Sequence, residues 1–199
     1  MNNIPGATQA TINGMVELGV FEKPMKTVVE IGPGTGRYLE KTVAICKPDR
    51  YEIYETSPSW AAYLKQNYHV VLQPTDGRSL ASTPDQSADL VQAHKVFSSI
   101  PSLPTFKYWK EMARVCRGGG FVAFDILTEA CLGIGVLHNW IASSIENGAF
   151  PAAMPRDTAI SFFKSEGFDF KGSFLADMAP GYTEVFVFQK AVDAASAFI

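Results

Sequence analysis

A glycine-rich turn near the start of the chain carries the residues with the clearest chemical meaning. Residues 27–37 read Thr-Val-Val-Glu-Ile-Gly-Pro-Gly-Thr-Gly-Arg, so an acid, Glu30, precedes three glycines in the spacing Gly-x-Gly-x-Gly. Because glycine has no Cβ, a loop of this kind lets main-chain amides approach a small ligand closely. The pattern predicts a strand, a ligand-binding loop and a helix, in that order.

Polar side chains at the ends of three later apolar runs extend the same predicted site. Glu55, Asp76 and His94 each follow such a run. A carboxylate accepts hydrogen bonds from both hydroxyls of a ribose, and an imidazole with a pKa of about 6.5 accepts a proton near neutral pH. These residue types predict a nucleoside site with one candidate base. The alternatives are a plain Asp-Gly turn at Asp76 and a histidine that only shapes the pocket.

The elements that would position these residues alternate between short apolar strands and amphipathic helices. This alternation is typical of βαβ units, which build a parallel sheet with ligands at the carboxyl ends of its strands. An aromatic stripe from Phe106 to Cys116 predicts a helix that packs on the sheet, and Gly118 to Gly120 are expected to end it. Asp157 is expected to cap a later helix. The predicted strands are residues 28–31, 51–55, 70–73, 89–93, 121–127, 169–174 and 183–189.

Size and composition favour one globular domain. The chain has 199 residues, of which 47% are apolar and 19% charged, and its net charge is −3. This balance argues against a large nucleic-acid-binding face. The three cysteines form no Cys-x-x-Cys pair, which favours reduced thiols and a cytoplasmic location. No leader segment and no apolar run of ~20 residues is visible, so we expect neither secretion nor membrane association.

From residue 27 to residue 189 the chain resembles the class I S-adenosylmethionine-dependent methyltransferases that act on small molecules. In that family Glu-x-Gly-x-Gly-x-Gly closes the first strand, and Glu30, Gly32, Gly34 and Gly36 match it. The resemblance implies a doubly wound α/β fold with a mostly parallel seven-stranded sheet and an antiparallel last strand. It also implies one domain over residues 1–199, with a helical cap at 1–24 and an inserted lid at 128–156.

The resemblance further implies S-adenosylmethionine as the cofactor and assigns residues to its parts. The glycine loop would follow the methionine part, and Glu30 would hold the amino-acid end. Glu55 would accept from the ribose, Trp60 would pack near the adenine, and Asp76 would accept from the adenine amino group. The implied cofactor-binding residues are Glu30, Gly32, Pro33, Gly34, Gly36, Glu55, Thr56, Trp60, Asp76, Gly77 and Arg78.

His94 is the candidate catalytic base, because the end of the fourth strand borders the transferred methyl group in this family. Asp125, inside the fifth strand, is a lesser candidate. His138 and Trp140 in the lid segment, with Tyr182 before the last strand, are the candidate contacts to the methyl acceptor. A helix that merely completes the core would explain the two lid residues equally well. We expect no metal site, since no histidine and carboxylate cluster has ligand spacing.

The predicted activity is methyl transfer to a small molecule, with a hydroxyl oxygen favoured because a lone histidine base suits it. Methylation of a small-molecule nitrogen is the nearest alternative. A nicotinamide-dependent oxidoreductase would need Gly-x-Gly-x-x-Gly, but position 37 is Arg37. A non-catalytic cofactor-binding protein would keep the loop and need no base. The segment Ala-His-Lys-Val-Phe at 93–97 replaces the Asn/Asp-Pro-Pro-Tyr/Phe motif of many nucleic-acid methylating enzymes, which argues against DNA. Oligomeric state is open, with a homodimer as one option.

Overall fold

A single twisted sheet organises the computed structural model, which describes residues 4–142 and 152–192. Its strands are β1 (Thr27–Ile31), β2 (Arg50–Tyr54), β3 (Val71–Leu72), β4 (Ala88–Ala93), β5 (Cys116–Ile126), β6 (Phe168–Met178) and β7 (Gly181–Lys190). They lie in the order β3-β2-β1-β4-β5-β7-β6. The first five pair in parallel, and β7 runs antiparallel to β5 and β6. The predicted fold class, with seven strands and an antiparallel last strand, is confirmed.

Helices cover both faces of this sheet. They are α1 (Ala7–Glu17), α2 (Arg37–Cys46), α3 (Pro58–Asn67), α4 (Ser102–Val115), α5 (Ile134–Ala142) and α6 (Arg156–Ser165). One apolar cluster joins α1, α2 and α3 to the sheet, and a second joins α4 and α6 to its opposite face. In the second cluster Trp109 of α4 and Phe163 of α6 pack on Phe124 of β5, with ring centroids 5.1 and 5.3 Å apart. The aromatic stripe therefore serves packing, as predicted.

Register brings the predicted site residues to one edge of the sheet. Ile31, the last residue of β1, lies opposite Tyr54 of β2 and Ala93 of β4, and Ala93 lies opposite Phe124 of β5. All six residues of β4 are buried, as a central parallel strand requires. The loops that follow β1, β2 and β4 therefore start side by side at the carboxyl edge.

The predicted boundary between α4 and β5 is wrong. The helix ends at Val115, so Cys116 begins β5 and does not continue the helical stripe. Gly118 to Gly120 lie within the strand and do not end the helix. The pairing of β4 with β5 shifts register between Ala88 and Leu90, and glycine is common where a strand is irregular in this way.

Three other predicted boundaries need correction. Helix α6 begins at Arg156 after Pro155, so Asp157 lies in its first turn and is not the cap. The third strand is only Val71–Leu72, shorter than residues 70–73. The sixth strand is longer than residues 169–174, because the β6–β7 hairpin pairs along its full length.

The two segments predicted to flank the site are partly described. The amino-terminal segment contains α1, whose Ile12 and Met15 are buried, and residues 1–3 lie outside the described ranges. The lid segment contains a short 3-10 helix (Glu129–Cys131) and α5, and residues 143–151 lie outside the described ranges. After this segment the chain returns to the sheet beside the end of β5, where Ala153 forms a single β-bridge with Leu127. The single-domain division stays a prediction.

In the part of the chain that the structure describes, no helix combines the length and the apolar character that crossing a membrane requires.

Candidate functional site

The glycine loop after β1 combines one close approach to a neighbouring loop with one position that faces open space. Gly32 has φ +60°, and a Cβ there would come within 2.8 Å of the Val96 side chain, so the loops after β1 and β4 touch only because this residue is glycine. Gly34 has φ +55°, and a Cβ there would meet nothing within 4 Å. Its backbone thus faces open space, which suits a loop that lies along a ligand.

Glu55 ties this loop to the end of β2. One carboxylate oxygen accepts from the Gly34 N–H at 3.0 Å, and the other accepts from the Ser57 N–H at 2.8 Å. Each carboxylate oxygen has two acceptor sites, so both oxygens can still accept from a ligand hydroxyl. Ser57 also caps α3 by accepting from the Trp60 N–H at 3.5 Å.

A cavity of about 410 Å³ opens beside the loop. This volume lies within the ~300–1,000 Å³ typical of small-molecule sites. The residues that line it come from the loops after β1 and β4 and from the first turns of α2 and α3: Gly32, Pro33, Gly34, Thr35, Arg37, Tyr38, Trp60, His94 and Lys95. Trp60, which is 42% exposed, presents its indole to this space.

His94 is the buried titratable group of the cavity wall. Its side chain is only 5% exposed, its ring stacks on Tyr38 with centroids 4.3 Å apart, and neither ring nitrogen has a hydrogen-bond partner. Burial lowers the pKa of His94 to about 4, against the raising effect of the Asp125 charge; Lys95 and Arg37 lower it further. The imidazole is therefore neutral at neutral pH and has an unpaired nitrogen lone pair, although the same burial makes it a weaker base than an exposed histidine.

Lys95, Asp125 and Thr183 form a buried cluster beside His94. The Asp125 carboxylate accepts from the Lys95 backbone N–H at 2.6 Å and lies 3.1 Å from the Lys95 ammonium. Thr183 Oγ1 donates to Asp125 and accepts from that ammonium. Burial raises the pKa of Asp125, but the Lys95 charge and these hydrogen bonds outweigh it and hold the pKa below its ordinary value.

Sequence reasoning did not identify Lys95, Arg37 or Tyr38 as site residues. Asp125 carried the one available signal, because an acid inside an apolar strand needs a cationic or hydrogen-bonding partner. The partner itself, 30 positions away in the chain, could not be read from that pattern.

Glu30 is buried behind the glycine loop and does not line the cavity. It is 1% exposed and accepts from the Tyr51 hydroxyl at 2.5 Å. Gln92 donates to the same hydroxyl at 2.9 Å and to Thr42 at 3.2 Å. Burial raises the pKa of Glu30 to about 7, although the hydrogen bonds with Tyr51 and Gln92 oppose the rise. Its contact with the cofactor stays a prediction.

The turn after β3 lies next to the loop after β2. A Cβ on Gly77 would come 3.5 Å from the Thr56 side chain. Asp76 is exposed, and one of its oxygens accepts from the backbone N–H groups of Arg78 and Ser79, both at 2.8 Å. The carboxylate therefore shapes the turn, as a plain Asp-Gly turn would. Its contact with adenine, and any role of Arg78, stay predictions.

The predicted acceptor contacts lie elsewhere. His138 is exposed on α5, Trp140 is packed with Leu127 and Met178, and Tyr182 is 42% exposed in β7. The described residues that line the cavity beside His94 do not include these three. A small crevice of about 20 Å³ adjoins that cavity, and it is lined by Ile4, Ala7, Arg37, Tyr38, Lys95, Asp177, Met178 and Ala179.

Comparison with solved structures reproduces the fold. Magnesium protoporphyrin IX methyltransferase (ChlM) from Synechocystis PCC 6803 with bound SAH has a TM-score of 0.73 at 11% identity, over 94% of this chain and 84% of that chain. N-methyltransferase NodS from Bradyrhizobium japonicum WM9, in complex with S-adenosylhomocysteine, has a TM-score of 0.67 at 16% identity, over 95% of this chain and 89% of that chain. An O-methyltransferase family protein from Burkholderia thailandensis has a TM-score of 0.72 at 14% identity, over 94% of this chain and 57% of that chain. Comparison with curated proteins found no match.

Fold and site together define an α/β protein with a glycine loop and a cavity at the end of the first strand. Residues 29–124 match the family model described as a methyltransferase domain. With its sheet order, this chain has the fold of the class I S-adenosylmethionine-dependent methyltransferases. The matched methyltransferase domain, together with the S-adenosylhomocysteine bound in two of the compared structures, indicates S-adenosylmethionine as the cofactor. The open backbone at Gly34 and the carboxylate of Glu55 fit that cofactor.

Proposed function

We propose that this chain transfers a methyl group from S-adenosylmethionine to a hydroxyl oxygen of a small molecule, with His94 as the base. The observation that carries the proposal is the buried imidazole of His94, a lining residue of the glycine-loop cavity, whose two nitrogens lack partners. A buried polar group without a partner is costly, so a ligand that satisfies it is favoured.

The reaction needs little from the protein beyond alignment and proton acceptance. The cofactor supplies a methyl group on a sulfonium, which is already a good leaving centre. As the acceptor oxygen bonds to the methyl carbon, the C–S bond breaks and the hydroxyl proton moves to a His94 nitrogen. Alignment can contribute ~7–11 kcal/mol, and a positioned base ~10²–10⁴-fold.

We assign the cofactor to the predicted residues around the cavity. The loop from Gly32 to Gly36, with Pro33, would follow the methionine part, and Glu55 with Thr56 would hold the ribose. Trp60 would pack on the adenine, since its exposed indole already lines the cavity. Asp76 with Gly77 and Arg78 would lie at the far end of the adenine, beside Thr56.

The acceptor contacts are proposed from two sources. His138, Trp140 and Tyr182 remain the candidates from the sequence pattern. The crevice beside Lys95 adds Ala7 and Asp177, because it shares three lining residues with the main cavity. An acceptor bound at the rim that this crevice shares with the main cavity would contact the amino-terminal segment and the β6–β7 turn.

An amine acceptor is the second candidate, since NodS is an N-methyltransferase of the same fold. A neutral imidazole suits a hydroxyl better, because an amine arrives largely as an ammonium ion and must lose a proton before it can attack. Asp125 is a poor candidate base, since the Lys95 ammonium and the Thr183 hydroxyl already occupy it.

A methyl-transfer assay with radiolabelled cofactor tests the proposal. Wild type is screened against phenols, aliphatic alcohols and primary amines, and we expect turnover with a hydroxyl compound. His94→Phe keeps the stack on Tyr38 and removes the base, so the rate should fall ~10²–10⁴-fold while cofactor affinity is retained. His69→Phe, at an exposed histidine, is the matched control.

Full activity of His94→Phe would remove the base from the mechanism. Turnover with amines alone would establish nitrogen methylation. Cofactor binding with no turnover on any compound would favour a non-catalytic role, and calorimetric binding of NAD in place of the cofactor would favour the oxidoreductase.

A further inference from the structure

Two residues with cationic side chains line the cavity, although the cofactor it receives is itself a cation. Arg37 and Lys95 both line the space beside His94. Like charges repel in proportion to the inverse of their separation, and a cavity partly closed from water screens them weakly. A free ammonium at Lys95 would therefore oppose binding of a sulfonium.

The structure restrains that ammonium at several points. Lys95 has a left-handed backbone, φ +61°, which its N–H bond to Asp125 supports. Its side chain is only 7% exposed and runs toward the hairpin, where Ala176 O lies 3.5 Å from Nζ and Thr183 also contacts it. Asp125 faces both the backbone N–H and the ammonium of the same residue.

We propose that Asp125 is a positioning residue that holds the Lys95 ammonium against the β6–β7 hairpin and balances its charge, so that the cavity discriminates between sulfonium substrate and thioether product. S-adenosylmethionine and S-adenosylhomocysteine share the adenosine and the amino-acid end. They differ by one methyl group and by the positive charge on sulfur. The ratio of their affinities therefore reports the electrostatic environment of the sulfur.

This role depends on the cofactor of the proposed function but not on its acceptor. Removing the Asp125 charge leaves the Lys95 ammonium unbalanced, which disfavours only the charged ligand. Removing the Lys95 charge leaves the carboxylate unbalanced, which favours only the charged ligand. A purely structural role of the pair would change both affinities together.

Calorimetric titration of both ligands at pH 8 tests the role. For Asp125→Asn we expect the dissociation constant of S-adenosylmethionine to rise about tenfold, because one positive charge is left unbalanced. The dissociation constant of S-adenosylhomocysteine should rise less than about twofold. For Lys95→Met we expect the opposite, an affinity ratio about threefold further toward S-adenosylmethionine. The double variant should return the ratio to the wild-type value, which makes the four proteins a double-mutant cycle.

Asp89→Asn is the matched control. Asp89 is also buried and also pairs with a cation, but it accepts from two backbone N–H groups and lies at the opposite edge of the sheet. Its replacement should leave the ratio of the two affinities unchanged.

Equal weakening of both ligands by Asp125→Asn would overturn the proposal, as would an unchanged ratio. If Asp125→Asn does not fold, Lys95→Met decides, because a shift toward S-adenosylhomocysteine contradicts the charge balance. The affinity ratio needs no acceptor, so a negative methyl-transfer assay bears on the proposed function and leaves this result standing.

Discussion

The two edges of the sheet carry similar polar groups that are used differently. At the amino edge, Asp89 accepts from the backbone N–H groups of Lys26 and Thr27, both at 2.8 Å, and pairs with the half-exposed Arg117. At the carboxyl edge, Asp125 accepts from one backbone N–H and from the Thr183 hydroxyl and pairs with Lys95, but His94 beside it has no partner for either nitrogen.

Cavity size does not separate the two edges. Cavities of about 430 and 440 Å³ lie at the amino edge, against about 410 Å³ beside the glycine loop. What differs is whether the buried polar groups on the wall are satisfied. A saturated carboxylate such as Asp89 stabilises the fold, whereas the unsatisfied His94 marks a place for a ligand.

The largest expected effect tests the saturated edge. Asp89→Ala removes the acceptor of two backbone N–H groups and the partner of Arg117, so the free energy of unfolding should fall by about 3–4 kcal/mol. The affinity of the folded variant for S-adenosylmethionine should stay within about twofold of wild type. Chemical denaturation and calorimetry measure the two quantities. A large loss of affinity with little loss of stability would erase the contrast between the edges.

The second largest expected effect is a pH dependence of stability that comes from Glu30, a buried carboxylate whose hydrogen-bond partner is a hydroxyl. The folded pKa of Glu30, about 7, lies above its ordinary value of 4.5, so folding favours the protonated acid. The contribution of Glu30 to the free energy of unfolding is thus fully present below about pH 4.5, and it is lost as the pH rises through 7, by up to about 3 kcal/mol. Glu30→Gln should remove this dependence while keeping a similar shape.

Denaturation curves at pH 5, 6, 7 and 8 measure this difference. The contribution of His94, whose lowered pKa costs stability as the pH falls below 6.5, is common to both proteins and cancels. Parallel stability profiles for wild type and Glu30→Gln would show that Glu30 titrates normally.

Glu55→Ala tests the unsaturated edge directly. It removes the acceptor of the Gly34 N–H and the expected partner of both ribose hydroxyls, so the dissociation constant of S-adenosylmethionine should rise about 30- to 100-fold. Glu40→Ala, at an exposed acid of α2, is the control in the same titration. An unchanged affinity in Glu55→Ala would remove the carboxylate from the cofactor site.

The smallest expected effect is at Gly34. Alanine has the space it needs there but pays about 1 kcal/mol for a positive φ. Gly34→Ala should therefore lower stability by about that amount, and a larger loss of cofactor affinity than of stability would show that the ligand lies against this residue. Gly6→Ala is the control for the loss of stability that a positive φ alone causes, because Gly6 has φ +81° and a Cβ there would also meet nothing within 4 Å.

Local patterns predicted the sheet better than its boundaries. Runs such as Val28 to Ile31 are apolar because both faces of a central strand are covered, so alternation with helices was enough to place them. The break between α4 and β5 could not be found, because Cys116 fits both a helical stripe and a strand. Pairing with β4, which decides between them, is a contact between distant segments.

The same distinction between local signals and distant contacts applies to the site residues. Glycine spacing and the acids after the strands are local signals, and they placed Gly34, Glu55 and His94 at one edge. The bond that fixes Lys95 comes from Asp125, and its side chain reaches Thr183, 88 positions away. Tertiary contacts of this kind decide which buried charges are balanced, and a single sequence does not contain them.

The packing of α1 has one more consequence. A Cβ on Gly14 would come within 2.6 Å of the Phe174 ring, so the helix rests directly on an aromatic side chain of the outermost strand. The same helix begins at Ala7, on the rim of the crevice beside Lys95. Replacing Phe174 with leucine would remove the ring on which the helix rests, so the position of the rim at Ala7 depends on a side chain that does not itself line the crevice.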